Sequence, residues 1–159
     1  MMASVTRRYL FSASHRLNSH ELSEEKNREI FGKCNNPYGH GHNYELEVTV
    51  RGMVEPATGL IINIQALDDY VQSRVLARFS NRYMNLDLLE FARLVPTTEN
   101  MVSVIAGILT NDWEATFGKC GPALARIQLQ ETGRNGFELL LKPKAGTKIE
   151  ASDRAEIFA

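Results

Sequence analysis

Histidine and cysteine are scarce in this chain of 159 residues, with four of the first and two of the second. Two cysteines, Cys34 and Cys120, are too few for a disulfide scaffold. In a reducing compartment, two separate thiols are the better reading. No apolar run approaches the roughly 20 residues that span a bilayer. Met1 to Arg8 contains Arg7 and Arg8 with no apolar stretch behind them, so no secretory leader is expected. Charge of one sign is missing too. Lys and Arg number 18 against 19 Asp and Glu, a formal net charge of -1, and the pI is near 6.4. Such a balance gives no general attraction to DNA, RNA or an anionic membrane. The chain is therefore read as cytoplasmic, with neither nucleic acid nor membrane as a partner.

Apolar material is ample, at 43% of residues, enough for the core of one domain. Val5 to Ser12 reads as a strand. Glu24 to Phe31 reads as a short helical piece inside a polar excursion. From Tyr44 to Arg51 the alternation is strict: Tyr44, Leu46, Val48 and Val50 face one way, and Glu45, Glu47, Thr49 and Arg51 the other. Leu67, Tyr70, Val71, Val75 and Phe79 recur at helical spacing behind the start signal Asn63. A second helix starts after Pro96, capped by Thr97 or Thr98, with Val102, Ile105, Ala106, Leu109 and Trp113 as its stripe. Leu124 to Gln130 and Phe137 to Lys142 then read as a hairpin. The order predicts an α+β domain over 1–142: a four-stranded antiparallel sheet with two helices on one face. Residues 143–159 lose the pattern and are read as a loosely ordered tail.

Of the histidines, His40 and His42 flank Gly41 just before the strongest strand. Residues i and i+2 of extended chain share a side, so both imidazoles can reach one ion. His15 follows the first strand and could add a third ligand, although spacing alone does not bring it to the pair. Three neutral imidazoles with an open fourth position suit catalytic zinc. Nickel, iron and copper also accept imidazole.

Two stretches carry more information. They are Phe11-Ser12-Ala13-Ser14-His15-Arg16-Leu17, and the run from Phe31 to Tyr44 containing Cys34-Asn35-Asn36-Pro37-Tyr38-Gly39-His40-Gly41-His42. With Asn85-Leu86-Asp87, Pro96-Thr97-Thr98-Glu99-Asn100 and Gln130-Glu131-Thr132, the chain from about Thr6 to Leu141 resembles the 6-pyruvoyl tetrahydropterin synthase family, which includes related 6-carboxy-tetrahydropterin synthases. The five residues between Cys34 and His40 look more like the pyruvoyl branch. The resemblance implies the tunnelling fold, with sheets joined into barrels and a homo-hexamer made of two trimers. It also implies a zinc lyase that takes 7,8-dihydroneopterin triphosphate to the 6-pyruvoyl product with loss of triphosphate. His15, His40 and His42 match the zinc ligands. Glu131 matches a pterin anchor, and a carboxylate suits the N–H edge of that ring. On its own, Glu131 reads as a solvated strand residue. Thr97, Thr98 and Glu99 match residues near the pterin pocket, and the threonines also read as helix caps. Cys34 matches the catalytic base, with a fourth zinc ligand or an inert thiol as the other readings. Cys120 matches no motif and is read as structural.

One part of the pattern is broken. The family carries an Asp-His pair as a proton relay shortly before the residue matching Asn85, and the aligned positions here are Ser80 and Asn81. Neither titrates near neutral pH, so neither shuttles a proton as imidazole does. His20, Tyr83 or a zinc-bound water are the groups left to take over. The relay change keeps two further readings open: a side-chain lyase or carboxy-type synthase on the same substrate, and a non-catalytic zinc- and pterin-binding paralogue. Arg16, Lys33 and Arg82 are the cations nearest the motifs and candidates for the triphosphate.

Overall fold

The computed structural model describes residues 1–142, and the expectations for 143–159 lie outside the described residues. Two long strands dominate. β1 (Met2–His15) and β2 (His40–Met53) pair antiparallel along their whole length, from Met2 opposite Met53 to His15 opposite His40. β4 (Ala123–Gln130) pairs antiparallel with β2, and β5 (Gly136–Leu140) with β4. The period of two sorts the side chains as the sequence implied. Tyr44, Leu46, Val48 and Val50 are fully buried, each stabilising the fold by about 1.5–3 kcal/mol through lost water contact. Glu47, expected on the wet side, is also nearly buried. It bridges Arg8 at 2.8 Å and Arg126 at 2.5 Å on the polar face of the sheet.

The sheet has five strands rather than the four expected; with Arg82–Tyr83 as β3, the order is β3-β1-β2-β4-β5. The additional strand, β3 (Arg82–Tyr83), pairs parallel with Ala13 and Ser14 of β1, so the sheet is not wholly antiparallel. Two residues carry no periodicity, which is why the sequence pattern does not reveal this strand.

Helices cover the apolar face. α1 (Glu24–Phe31) starts at Ser23, whose side chain accepts from the Lys26 amide. α2 (Ile64–Val71) starts at Asn63, whose side chain accepts from the Ala66 amide at 3.1 Å. It runs through a π-helical turn at Gln72–Leu76 into α3 (Ala77–Phe79). Leu67, Tyr70, Val71, Val75 and Phe79 are all buried along this rod. α4 (Met84–Asp87) leads to a short 3-10 turn at Leu89–Phe91. α5 (Thr98–Asn111) is capped by Thr97, which accepts from the Asn100 amide. Trp113 does not extend α5. It opens a separate short helix, α6 (Trp113–Phe117), after the chain leaves helical geometry at Asp112. There its indole N–H donates to the Pro122 carbonyl at 2.8 Å, satisfying a polar group that the stripe pattern ignores.

Candidate metal centre

The β1–β2 register determines the centre. His15 is the last residue of β1, and His40, the first of β2, lies opposite it. His42 shares the face of His40, opposite Ala13, whose small side chain leaves room for the ring. The three histidines each offer one ligand nitrogen, and these nitrogens lie within 4.8 Å of one another. Ideal tetrahedral zinc, with bonds of 2.0–2.1 Å, separates its nitrogens by roughly 3.4 Å. The chain enters the pair through Gly39, whose φ is +70°. A Cβ there would sit 2.7 Å from the Tyr83 ring and 2.8 Å from the His15 carbonyl oxygen, so the turn admits only glycine. Asparagines fix the preceding loop: the Asn35 side chain donates to the Leu17 carbonyl at 2.7 Å, and the Asn36 side chain accepts from the Tyr38 amide at 3.1 Å.

The electrostatics of the centre call for a cation. His15 is 1% exposed, and its Nδ1 lies 2.8 Å from the Pro96 carbonyl oxygen. A carbonyl only accepts, so Nδ1 carries the proton and Nε2 is left with its lone pair. Burial pushes the His15 imidazole down to about 4, so it is neutral at physiological pH. That lone pair faces His40 Nε2 at 3.2 Å. The Glu131 carboxylate reaches the same place, 3.6 Å from His15 Nε2 and 3.7 Å from His42 Nε2. Meanwhile His40 Nδ1 and His42 Nε2 are buried without a hydrogen-bond partner. Three imidazoles and a carboxylate converging here, with two buried ring nitrogens lacking a partner, are costly unless a positive ion sits among them. The residues therefore fit a metal, and an all-imidazole set suits zinc, copper, iron or nickel.

Glu131, the residue just after β4, is not a solvated strand carboxylate. Its side chain is 13% exposed and accepts from the Tyr44 hydroxyl at 3.4 Å. Burial, and then the Glu131 charge, raise the Tyr44 hydroxyl far above its usual value, so it stays a donor. Cys34 lies in the 3-10 turn Gly32–Asn35 and is partly buried and unpaired. It stands outside the three-histidine ligand set. Burial, and then the Glu131 charge, push its thiol up rather than down. Cys120 is also unpaired, and it is exposed.

The other motif residues are more scattered. Thr97 caps α5, Thr98 is buried, and Glu99 is exposed. This segment meets the centre through the Pro96 carbonyl that orients His15, a contact that no motif spacing indicates. Ser80 closes α3, its amide bonded to the Leu76 carbonyl. Asn81 holds a left-handed backbone with φ of 58°, which asparagine tolerates better than most residues. Its amide donates to the Ser12 carbonyl at 2.7 Å. Asn81 and Arg82 line a shallow groove of about 440 Å3 with Ser12, Ser14 and Asn43. Among the described residues, neither Ser80 nor Asn81 hydrogen-bonds a histidine.

Fold and site together define an α+β protein with a partly buried three-imidazole centre able to hold a metal, and one carboxylate and one thiol at its edge. Residues 4–140 match the model of the 6-pyruvoyl tetrahydropterin synthase family, and the chain belongs to that family. It is 41% identical over 133 residues to the 6-pyruvoyl tetrahydrobiopterin synthase of Poecilia reticulata, covering 82% of this chain and 85% of that one. To the Homo sapiens protein of the same name it is 48% identical over 103 residues, covering 65% of this chain and 71% of that one. The solved structure of Caenorhabditis elegans 6-pyruvoyl tetrahydropterin synthase superposes with a TM-score of 0.79 at 33% identity, covering 89% of this chain and 97% of the other.

Proposed function

We propose that this chain is a zinc-dependent lyase converting 7,8-dihydroneopterin triphosphate to 6-pyruvoyl tetrahydropterin with release of triphosphate. The observation that carries this reading is the convergence of ligand nitrogens from His15, His40 and His42, with the Glu131 carboxylate beside them, at the end of the β1–β2 ribbon where residues 16–39 join the two strands. When bound, zinc supplies positive charge that polarises a substrate hydroxyl and opposes the effect of burial and Glu131 on the Cys34 thiol. The Pro96 carbonyl fixes the His15 tautomer, so that Nε2 is the donor. Glu131 offers acceptor oxygens to the N–H groups of a pterin, while Tyr44 holds its other side. Cys34 takes the proton from the side-chain carbon, and Thr97, Thr98 and Glu99 border the pterin end.

The chain acts as one domain over 1–142 and assembles into a homo-hexamer of two barrels, in the cytoplasm. The sheet edges favour assembly. Among the described residues β3 covers β1 only at Ala13 and Ser14, and nothing pairs with the rest of that edge of β1 or with the outer edge of β5. No helix among the described residues is long and apolar enough to cross a membrane. Ser80 and Asn81 favour one other reading, a zinc and pterin binder whose proton relay is lost. The test is turnover of 7,8-dihydroneopterin triphosphate by the zinc-loaded chain beside a Ser80→Asp/Asn81→His variant, with products identified by mass. Triphosphate release and the pyruvoyl product from the unmodified chain support the synthase. A carboxy or cleaved side-chain product assigns a sister activity. Substrate binding without turnover, restored by about 100- to 10,000-fold in the variant, would make the chain a binder.

A further inference from the structure

Most arginines in this fold have a carboxylate. Arg7 pairs with Asp68, Arg8 with Glu47, Arg74 with Asp112, Arg78 with Glu90 and Arg126 with Glu47. Among the described residues Arg16, Arg51, Arg82, Arg93 and Arg134 make no such pair, and two of these, Arg16 and Arg93, meet in one cleft. It has a volume of about 220 Å3 and is lined by Arg16, Asn18, His20, Tyr83, Asn85 and Arg93 together with apolar side chains. Among the described residues no carboxylate lines it. Past His20 and Arg93 it borders a wider pocket of about 610 Å3, where Glu21 is the one acid.

The cleft is built rather than incidental. The Asn85 side chain clamps the Arg16 backbone from both sides, accepting from its amide at 2.8 Å and donating to its carbonyl at 2.9 Å. The Arg16 Nε donates to the Asn35 carbonyl at 3.1 Å, which fixes the guanidinium and leaves its terminal nitrogens for a ligand. Arg16 directly follows His15, and Tyr83 packs on Gly39 immediately before His40. The cleft therefore begins one residue from the metal centre on both strands.

Two guanidiniums without counter-charges, surrounded by amide, imidazole and phenol donors, form a site for phosphate oxygens. We propose that this cleft binds an oligophosphate: the triphosphate tail of the substrate whose side chain is held at the histidines. Arg16 and Arg93 are its main anchors. The inference rests on the pterin triphosphate reading given above. Lys33 and Arg82, the other cations near the motifs, do not line the cleft.

The experiment is calorimetric titration of the zinc-loaded full chain with three probes: inorganic triphosphate, 7,8-dihydroneopterin, and 7,8-dihydroneopterin triphosphate. Arg93→Glu is expected to weaken inorganic triphosphate and the full substrate by about tenfold or more, with dihydroneopterin unchanged. Arg93→Lys should recover most of the loss. Arg78→Glu, in another groove, should leave all three affinities as they are. Inorganic triphosphate should compete with the full substrate. Equal triphosphate binding by Arg93→Glu and the unmodified chain overturns the cleft assignment, and so does triphosphate binding that does not compete. Failure of dihydroneopterin to bind at all would instead count against the pterin reading, whatever Arg93 does to inorganic triphosphate.

Discussion

Cys34 and the histidines have separable tasks, so single substitutions should part binding of the ion from chemistry. Cys34 lies outside the ligand set. Cys34→Ser is therefore expected to keep its zinc by elemental analysis while turnover falls about 100- to 10,000-fold. A Cys34→Ser protein that loses its metal would make the thiol a ligand instead. A second group far from the centre predicts pH behaviour. Asp68 accepts both the Arg7 guanidinium and the Tyr9 hydroxyl, at 2.8 Å for the latter. The bond to Arg7 holds its carboxyl below the usual carboxylate range. The folded state then binds fewer protons than the unfolded one in mild acid, and stability rises with pH there. This contribution is complete above about pH 4 to 5 and disappears as pH falls through the folded-state value. Asp68→Asn should flatten the acid limb of a melting-temperature profile, and an unchanged limb would refute the assignment. At this scale the sequence was legible only in part. The spacing of His40 and His42 announces a ligand pair, but Glu131 has no local signal that separates it from a solvated strand carboxylate. Only the family resemblance pointed to it. Arg93 escaped notice because it lies outside every motif, and only the fold brings it to Arg16.

Elements aim these side chains. The antiparallel register that sets His15 opposite His40 continues unbroken to Met2 and Met53, so a long apolar ribbon supports the centre at its far end. Gly39 is the weak link, because the chain must turn between Tyr83 and the His15 carbonyl. Gly39→Ala should cost about 1–3 kcal/mol in urea unfolding and also lower zinc affinity, since the displaced backbone carries His40. Unchanged zinc affinity would show that the turn does not position the ligand. Thr97→Ala should cost about 1 kcal/mol through the lost cap. It should also disturb the centre less than Gly39→Ala, because the His15 contact is made by the Pro96 backbone. Alternation in β2 and helical spacing along α2 were plain in the sequence because burial on one face dictates them. The two-residue β3, the π-helical turn at Gln72–Leu76 and the break at Asp112 were not. Each is too short to repeat, and each depends on what packs against it.

At the scale of the whole molecule, the described chain presents two unfinished features: sheet edges along β1 and β5, and a polar sheet face where Arg8, Glu47, Arg126 and Glu138 pair. Both favour assembly of several copies. Light scattering on the purified chain should give a mass near six protomers, and a strictly monomeric protein at micromolar concentration would refute the barrel arrangement. A single sequence carries the α+β class in its order of patterns. Assembly is legible only as a resemblance, because the surfaces that join copies need not repeat along one chain. The central claim is that a metal held by His15, His40 and His42 enables the reaction. The most direct measurement is the initial rate of pyruvoyl product formation as zinc is added back to the chelated chain, beside His42→Ala. If the metal enables the reaction, the rate is near zero without it, rises to level off at about one zinc per chain, and stays flat for the variant. Equal rates from the chelated chain, or from His42→Ala, would contradict it.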